Sequence, residues 1–558
     1  MTVPSRTVTT DTSNDSKAEA PKTRRPGAAP PLAAPPSVVP PPSVPLTFLL
    51  FAGVGLVAFG LAVWFAADRA VIAPTHPGVV SAVHLGVLAF LSVAVLGAMH
   101  QFAPVVSRRP LRSVWVARAT LVALVVGAWM LPNGFAHGPE SLVVAGGLVA
   151  ATGVALAVWN LSRPLAARGG GVPLSGLRLS VTFLVITVAF GVVFAFDRQT
   201  GWFALYTHRV LAHAHLGLLG WLGLTYIAVA EKLWPMFLLS HRPRASSGAW
   251  AVGLVAAGTA VLAPGLLFAW PAVAWVGGLV AAAGLIAHIF SLVASIRHRR
   301  RALELLHAFL IASAVMLVAA LVIAALAAAL PVTTAVRSRL VAAEVAALLG
   351  WLGLAVVGHA HKIVPFISYT RLRARGIERG ADGRPMLFED LANRRLGWCA
   401  LVLVAAGFAA GVPALIVGSA ELLALGGVML ATGGLVATMN LAIGPLRATR
   451  RFAPATSKQP ARSAIEAALR DVWDPELGID VLSLGLVYDI RTDDGRVDID
   501  MTLTTPGCPV SEQLPGEAEA AVRRAVPASD VSVNLVWDPP WTPDRLSSEA
   551  AEALGFPR

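Results

Sequence analysis

Histidine and cysteine are the residue types in this 558-residue chain whose placement could do chemistry. Seven histidines, His84, His100, His213, His215, His288, His359 and His361, fall within or at the ends of long apolar runs. An ionisable group there is costly, and is kept where a bundle interior or a cavity supplies a partner. A neutral imidazole is the usual axial ligand of haem iron, and two from facing helices at one depth can hold a porphyrin edge-on. His84 with His213 or His215 meets that requirement, near one end of the runs. Residues two apart on a helix point about 200° apart, so His213 and His215 cannot both face one metal without distortion. His100, His359 and His361 form a second layer toward the other end, together with His288, His307 and Glu231. They are candidate metal ligands. A proton or ion path is the competing use, and for any one histidine hydrogen bonding between helices is the plain alternative.

Cys508 follows Pro506-Gly507 and precedes Pro509, a residue suited to a first helical turn, so its sulfur would sit where a thiolate is favoured. One thiolate cannot hold an iron-sulfur cluster, which usually takes four protein ligands. Transfer, or binding shared across a homodimer or with a partner, fits better than storage; a buried inert cysteine is the alternative. Asp474 and Glu476, in Asp474-Pro475-Glu476, are an accompanying acidic pair that could equally be a turn. The other cysteine, Cys399, opens an apolar run, so a disulfide framework is excluded.

The elements that must position these residues are membrane spans. The chain is 56% hydrophobic and 14% charged, too apolar for a soluble multidomain protein. Twelve runs long enough to cross about 30 Å of hydrocarbon lie near 45–67, 79–105, 113–132, 141–161, 174–196, 209–235, 247–268, 271–296, 303–330, 338–367, 397–418 and 422–445. The net charge of +12 sits mainly in alternate loops, among them Arg108, Arg109, Arg112 and Arg299 to Arg301. That pattern orients the chain in a membrane, with both termini cytosolic, and argues against nucleic acid as a partner. Only five of the 44 basic residues are Lys, as a GC-rich bacterial genome would produce, which points to a bacterial cytoplasmic membrane. Residues 1–44, rich in Pro, Ser, Thr and Ala, read as a disordered cytosolic tail.

An internal repeat orders the spans. The interval from His84 to His215 equals that from Pro104 to Pro235, and the interval from Pro235 to Pro365 is shorter by one. His100, Glu231 and His361 then share one position, and Lys232 and Lys362 the next. Three units of four helices are the economical reading.

After a linker at 448–460 the composition turns globular. Helices at 461–472 and 509–525 and strands at 484–491, 496–504 and 530–537 are expected, with a turn at Asp493-Asp494-Gly495. Asp538-Pro539-Pro540-Trp541 reads as a rigid turn whose Trp541 covers the core. The fold class is a mostly α, polytopic bundle of twelve helices over 45–447, plus a small cytosolic α/β domain over 461–558.

Residues 45–447 resemble the subunit I superfamily of haem-copper oxidases and nitric oxide reductases, with its NnrS-like relatives. The resemblance rests on twelve spans, threefold repetition, the histidine opening the second span, and His-Ala-His pairs in the sixth and tenth. It implies low-spin haem held by the second-span histidine and one histidine of the tenth-span pair, with the sixth span supplying an active-site metal ligand. The chain departs from the pattern in having no His-His pair in the seventh span and no His-x-x-x-Tyr in the sixth, and its tenth-span pair lies nearer the cytosolic end. An oxygen-reducing binuclear centre is therefore not expected. Residues 461–554 resemble the SufT-like and PaaD-like iron-sulfur assembly family, through Asp474-Pro475-Glu476, LSLGLVYDI, TLTTPGCPV and DPPWTPDRLS. That resemblance implies maturation of iron-sulfur client proteins, with a transient cluster at Cys508 and the assembly machinery as partner.

The combined expectation is a lipid-embedded, oxidase-like haem or metal bundle fused to an iron-sulfur assembly domain. If the bundle is an enzyme, it is a haem-dependent oxidoreductase. A proton-coupled transporter and an inert anchor carrying the same domain are the alternatives.

Overall fold

The computed structural model describes residues 38–556 apart from 205, 241–246, 374, 376, 381–383, 455–461, 476, 494–495, 505–512 and 528–529. Twelve helices are long and apolar enough to cross a membrane: α1 Ser43–Ile72, α2 Pro77–Ser107, α3 Val114–His137, α4 Glu140–Leu165, α5 Gly171–Thr200, α6 Thr207–Phe237, α7 Ser247–Leu267, α8 Pro271–Arg297, α9 Leu305–Ala329, α10 Thr334–Arg373, α11 Arg394–Val417 and α12 Ala420–Thr449. Their order matches the twelve expected runs. Burial sorts them: α2, α6 and α10 are 67–72% buried along their most apolar stretch and the other nine 28–44%. The three repeat-related helices therefore line the centre, and the others turn residues such as Phe65, Trp115 and Leu279 outward.

The repeat extends to backbone packing. In the α3–α4 hairpin a Cβ on Gly127 would collide with the backbone of Ala150, and in the α7–α8 hairpin one on Gly258 would collide with that of Ala281. The interval that carries His84 to His215 also carries Gly127 to Gly258 and Ala150 to Ala281. Small residues let helix backbones approach in lipid, where packing rather than the hydrophobic effect holds helices together. A feature the apolar periodicity does not encode is a π-helical stretch in α2, Leu85–Ser92, and its repeat mate in α6, Leu216–Gly223. Each starts directly after a histidine, His84 or His215, and π-segments of this kind are frequent at functional sites. In α10 the corresponding stretch is α-helical.

Between α10 and α11 the chain forms a short strand, β1 (Ile377–Gly380), which pairs antiparallel with β2 (Phe452–Pro454) beyond α12. The C-terminal domain contains α13 (Arg462–Arg470), a two-residue pairing of β3 (Trp473–Asp474) with β4 (Ile479–Asp480), then β5 (Val487–Asp493), β6 (Arg496–Met501), α14 (Gln513–Ala525), β7 (Asp530–Leu535) and α15 (Ser548–Leu554). Strand order is β5-β6-β7, with β5 and β6 antiparallel and β6 and β7 parallel. A parallel pair needs a crossover, which α14 supplies. Val497, Ile499 and Met501 of β6 alternate inward onto α13 and α14. The sequence reading overextends the first strand: the strand starts only at Val487, and residues 484–485 are a turn with Gly485 at φ +64°. It also leaves out the β3–β4 pairing and α15, elements too short for a periodic signal. Trp541 closes the core as anticipated, 7% exposed, its indole N–H donating to the Leu484 carbonyl at 2.8 Å.

Candidate functional site

Three histidines, His84, His213 and His215, lie near the start of α2 and α6. His84 Nδ1 donates to the Val80 carbonyl at 2.8 Å, and its ring packs on Phe135 at 5.3 Å. His213 leans on Phe194 of α5, at 5.7 Å between ring centres, in a space that Gly191 keeps clear. Its Nδ1 is buried without a hydrogen-bond partner among the described residues. His215 turns the other way. Its Nδ1 donates to Leu211 at 2.8 Å, and its Nε2 faces Glu344 of α10 at 3.4 Å. The two rings thus face different neighbours, His213 toward Phe194 and His215 toward Glu344. Sequence reasoning passed over Glu344; the signal was a lone carboxylate within an apolar span.

In the second layer His100, His359 and His361 each donate Nδ1 to the carbonyl four residues back, Leu96, Ala355 and Val357, at 2.7, 2.8 and 2.9 Å. That bond fixes the neutral tautomer so that Nε2 presents a lone pair, the form that ligates metal. All three Nε2 atoms are buried with no hydrogen-bond partner among the described residues. The fold nevertheless sends the rings to different neighbours: His100 to Phe48 of α1, His361 onto Phe309 of α9, and His359 edge-on to Tyr226 of α6, at 5.5, 5.3 and 6.1 Å. No group of three His, Cys, Asp or Glu able to hold a metal occurs among the described residues. A single metal held by all three is not what the fold arranges, because positions 359 and 361 lie on opposite sides of α10.

His307 has the opposite tautomer. Its Nδ1 accepts the Glu304 backbone N–H at 2.9 Å, so in the neutral ring Nε2 carries the proton. Glu304 caps α9 and pairs with Arg301 at 2.8 Å and Lys362 at 3.3 Å. Burial works against its charge, but the Lys362 and Arg301 cations outweigh that and hold its carboxyl below the ordinary range. Glu231 accepts from Ser291 of α8 at 2.6 Å, and His288 stands edge-on to Tyr226 at 5.4 Å.

In the C-terminal domain Asp474 accepts the Leu477 N–H at 2.9 Å, making it the pivot of the β3–β4 turn. Glu476 and Cys508 lie outside the described residues. Cys508 belongs to the connection between β6 and α14, the crossover of the parallel pair. Cys399 is exposed on α11. The domain meets the bundle where Arg373, at the end of α10, donates to Glu517 of α14 at 2.6 Å.

Fold and site together define a multi-pass membrane protein carrying a small α/β domain. Residues 462–535 match the iron-sulfur cluster assembly protein family. The iron-sulfur protein maturation auxiliary factor YitW of Bacillus subtilis is 43% identical over 100 residues, which are 18% of this chain and 98% of that protein. The auxiliary factor SufT of Staphylococcus aureus is 47% identical over 85 residues, 15% of this chain and 97% of that protein. Through this domain the chain belongs to the iron-sulfur cluster assembly family. The bundle has the fold of a haem-copper terminal oxidase solved by cryo-EM, with a TM-score of 0.52 and 14% identity, over 75% of this chain and 85% of that one.

Proposed function

We propose that this chain is an iron-sulfur maturation factor of the bacterial cytoplasmic membrane, both termini cytosolic, whose bundle binds haem. The near full-length match of the C-terminal domain to maturation factors carries the first half of the reading. Cys508 contacts the cluster as cargo and passes it to a client protein, since one thiolate completes a cluster site only together with ligands from elsewhere.

Two features support haem at His84 and His213: their shared place near the start of the repeat-related helices α2 and α6, and the bond to Val80 that leaves His84 Nε2 with a lone pair. Axial ligation of haem needs only one or two imidazoles, so the lack of a three-ligand cluster among the described residues does not conflict with it. When bound, haem would supply one-electron chemistry within the bundle. His215 is left to pair with Glu344, orienting α6 against α10. The test is an absorption spectrum of the full-length protein purified from a haem-replete host. A Soret band that shifts on dithionite reduction is expected, and folded protein without one overturns the haem reading while leaving the assembly reading intact.

A further inference from the structure

The centre of the bundle holds a cavity of about 150 Å³ between α2, α6 and α10, with Leu49 of α1 at its side. These are the most buried helices, yet Val95, Ala98, Tyr226, Val229 and Val356 are only half-buried, and all five line that cavity. Its walls obey the repeat. Leu91, Leu222 and Leu352 stand at the same two intervals as Pro104, Pro235 and Pro365, and so do Ala98, Val229 and His359. The cavity therefore runs along the pseudo-threefold axis, with His359 the one histidine in its wall.

Its shape is long and narrow. The three leucines are 1–2% exposed and close one end. From Leu91 the lining continues along α2 to Val105, fourteen residues on, or about 21 Å of helix. At that far end Phe102, Val105, Ile363 and Phe366 are half-buried, on the side where the arginine-bearing loops and the C-terminal domain leave the bundle.

Its chemistry is that of hydrocarbon. Tyr226 and His359 contribute to the wall, but the phenol oxygen and Nε2 are themselves buried, so these side chains show the cavity carbon. Lys362 is engaged by Glu304 and lies over the Phe237 ring at 5.8 Å. Buried water needs two to four polar partners and stays out of apolar cavities.

We propose that this axial shaft binds one hydrocarbon chain drawn from the membrane, a lipid acyl tail or an isoprenoid tail. The chain lies past Ala94 and Ala98 up to the leucine plug. Its oxygen-bearing head stays at the level of Gln101 and Lys362, the first polar ring toward the open end. A compact ring would fill only part of the length, whereas a single chain matches both the length and the apolar lining.

The experiment photolabels full-length protein in lipid nanodiscs with diazirine-bearing palmitate in one arm and diazirine-bearing geranylgeraniol in the other, mapping adducts by mass spectrometry. Adducts on axial residues of α2, α6 and α10, competed away by unlabelled chain, are expected in at least one arm, and the arm identifies the source. Ala94→Leu and Ala98→Leu fill the shaft and should abolish the axial adducts while those on lipid-facing Trp115 of α3 persist. Wild-type labelling confined to outward-facing residues in both arms overturns the proposal, as do axial adducts undiminished in a folded, filled variant. Should the filled variants not fold, the wild-type map with its competition arm decides alone.

Discussion

Arg373 and Glu517, 144 residues apart, join the bundle to the C-terminal domain through a 2.6 Å ion pair in which Arg373 is 9% and Glu517 21% exposed. Arg373 also reaches the Tyr369 hydroxyl at 3.1 Å, so the guanidinium is held from its own helix before it meets the partner. α10 carries His359 and His361 and ends on the helix that follows Cys508.

Reversal of either charge should loosen this docking. Arg373→Glu or Glu517→Arg removes a charged hydrogen bond worth about 1.5–3 kcal/mol, and the double reversal should recover part of it. Hydrogen exchange across α14 in the full-length protein measures the effect. Equal protection in wild type and both single variants would show that the pair contributes nothing to docking.

Haem content should follow the split between His213 and His215. His84→Ala and His213→Ala should lose most of the Soret absorbance. His215→Ala, whose Nε2 already faces Glu344, should lose less, and His208→Ala, stacked on Tyr206 before α6 crosses the membrane, should lose none. Equal occupancy in the His84 and His208 variants would remove the assignment.

Replacing Cys508 by Ser keeps the size of the side chain but substitutes a far poorer ligand for iron. Client iron-sulfur enzyme activity in cells should fall sharply, with haem content unchanged. Cys399→Ser, at an exposed position on α11, is the control and should leave the client active. The reverse pattern would show that the assembly role of Cys508 is wrongly assigned.

Glu304 gives a pH dependence with a definite sign. Its carboxyl sits below the ordinary range, so its contribution to stability is complete above the carboxylate pKa of the unfolded chain. It is lost as pH falls through the lower folded value. Glu304→Gln should therefore narrow the difference in unfolding temperature between neutral and acid pH in detergent. An unaltered difference would mean that the Arg301 and Lys362 pairs do not stabilise the fold.

Twelve spans, their threefold repetition, the two layers of histidine and the family of the C-terminal domain were all legible in the residues. Each depends on local facts: the length of an apolar run, the spacing of a proline or glycine, a motif around one cysteine. Helical geometry alone, which puts alternate residues on nearly opposite faces, likewise sufficed to say that His213 and His215 must part.

Which of the two meets Glu344 depends on helix packing instead. His215 finds Glu344 across 129 residues of sequence, and His213 finds room beside Gly191, only because α5, α6 and α10 are brought together. The tautomers have the same origin in part: the i−4 carbonyl bond is local, but His307 takes the opposite form because it caps α9 with Glu304. The axial cavity was hidden altogether, since each of its residues reads as ordinary apolar lining in its own helix. Periodicity records which face of a helix is apolar, and only the packing of three helices about one axis decides whether that face meets lipid, another helix or a void.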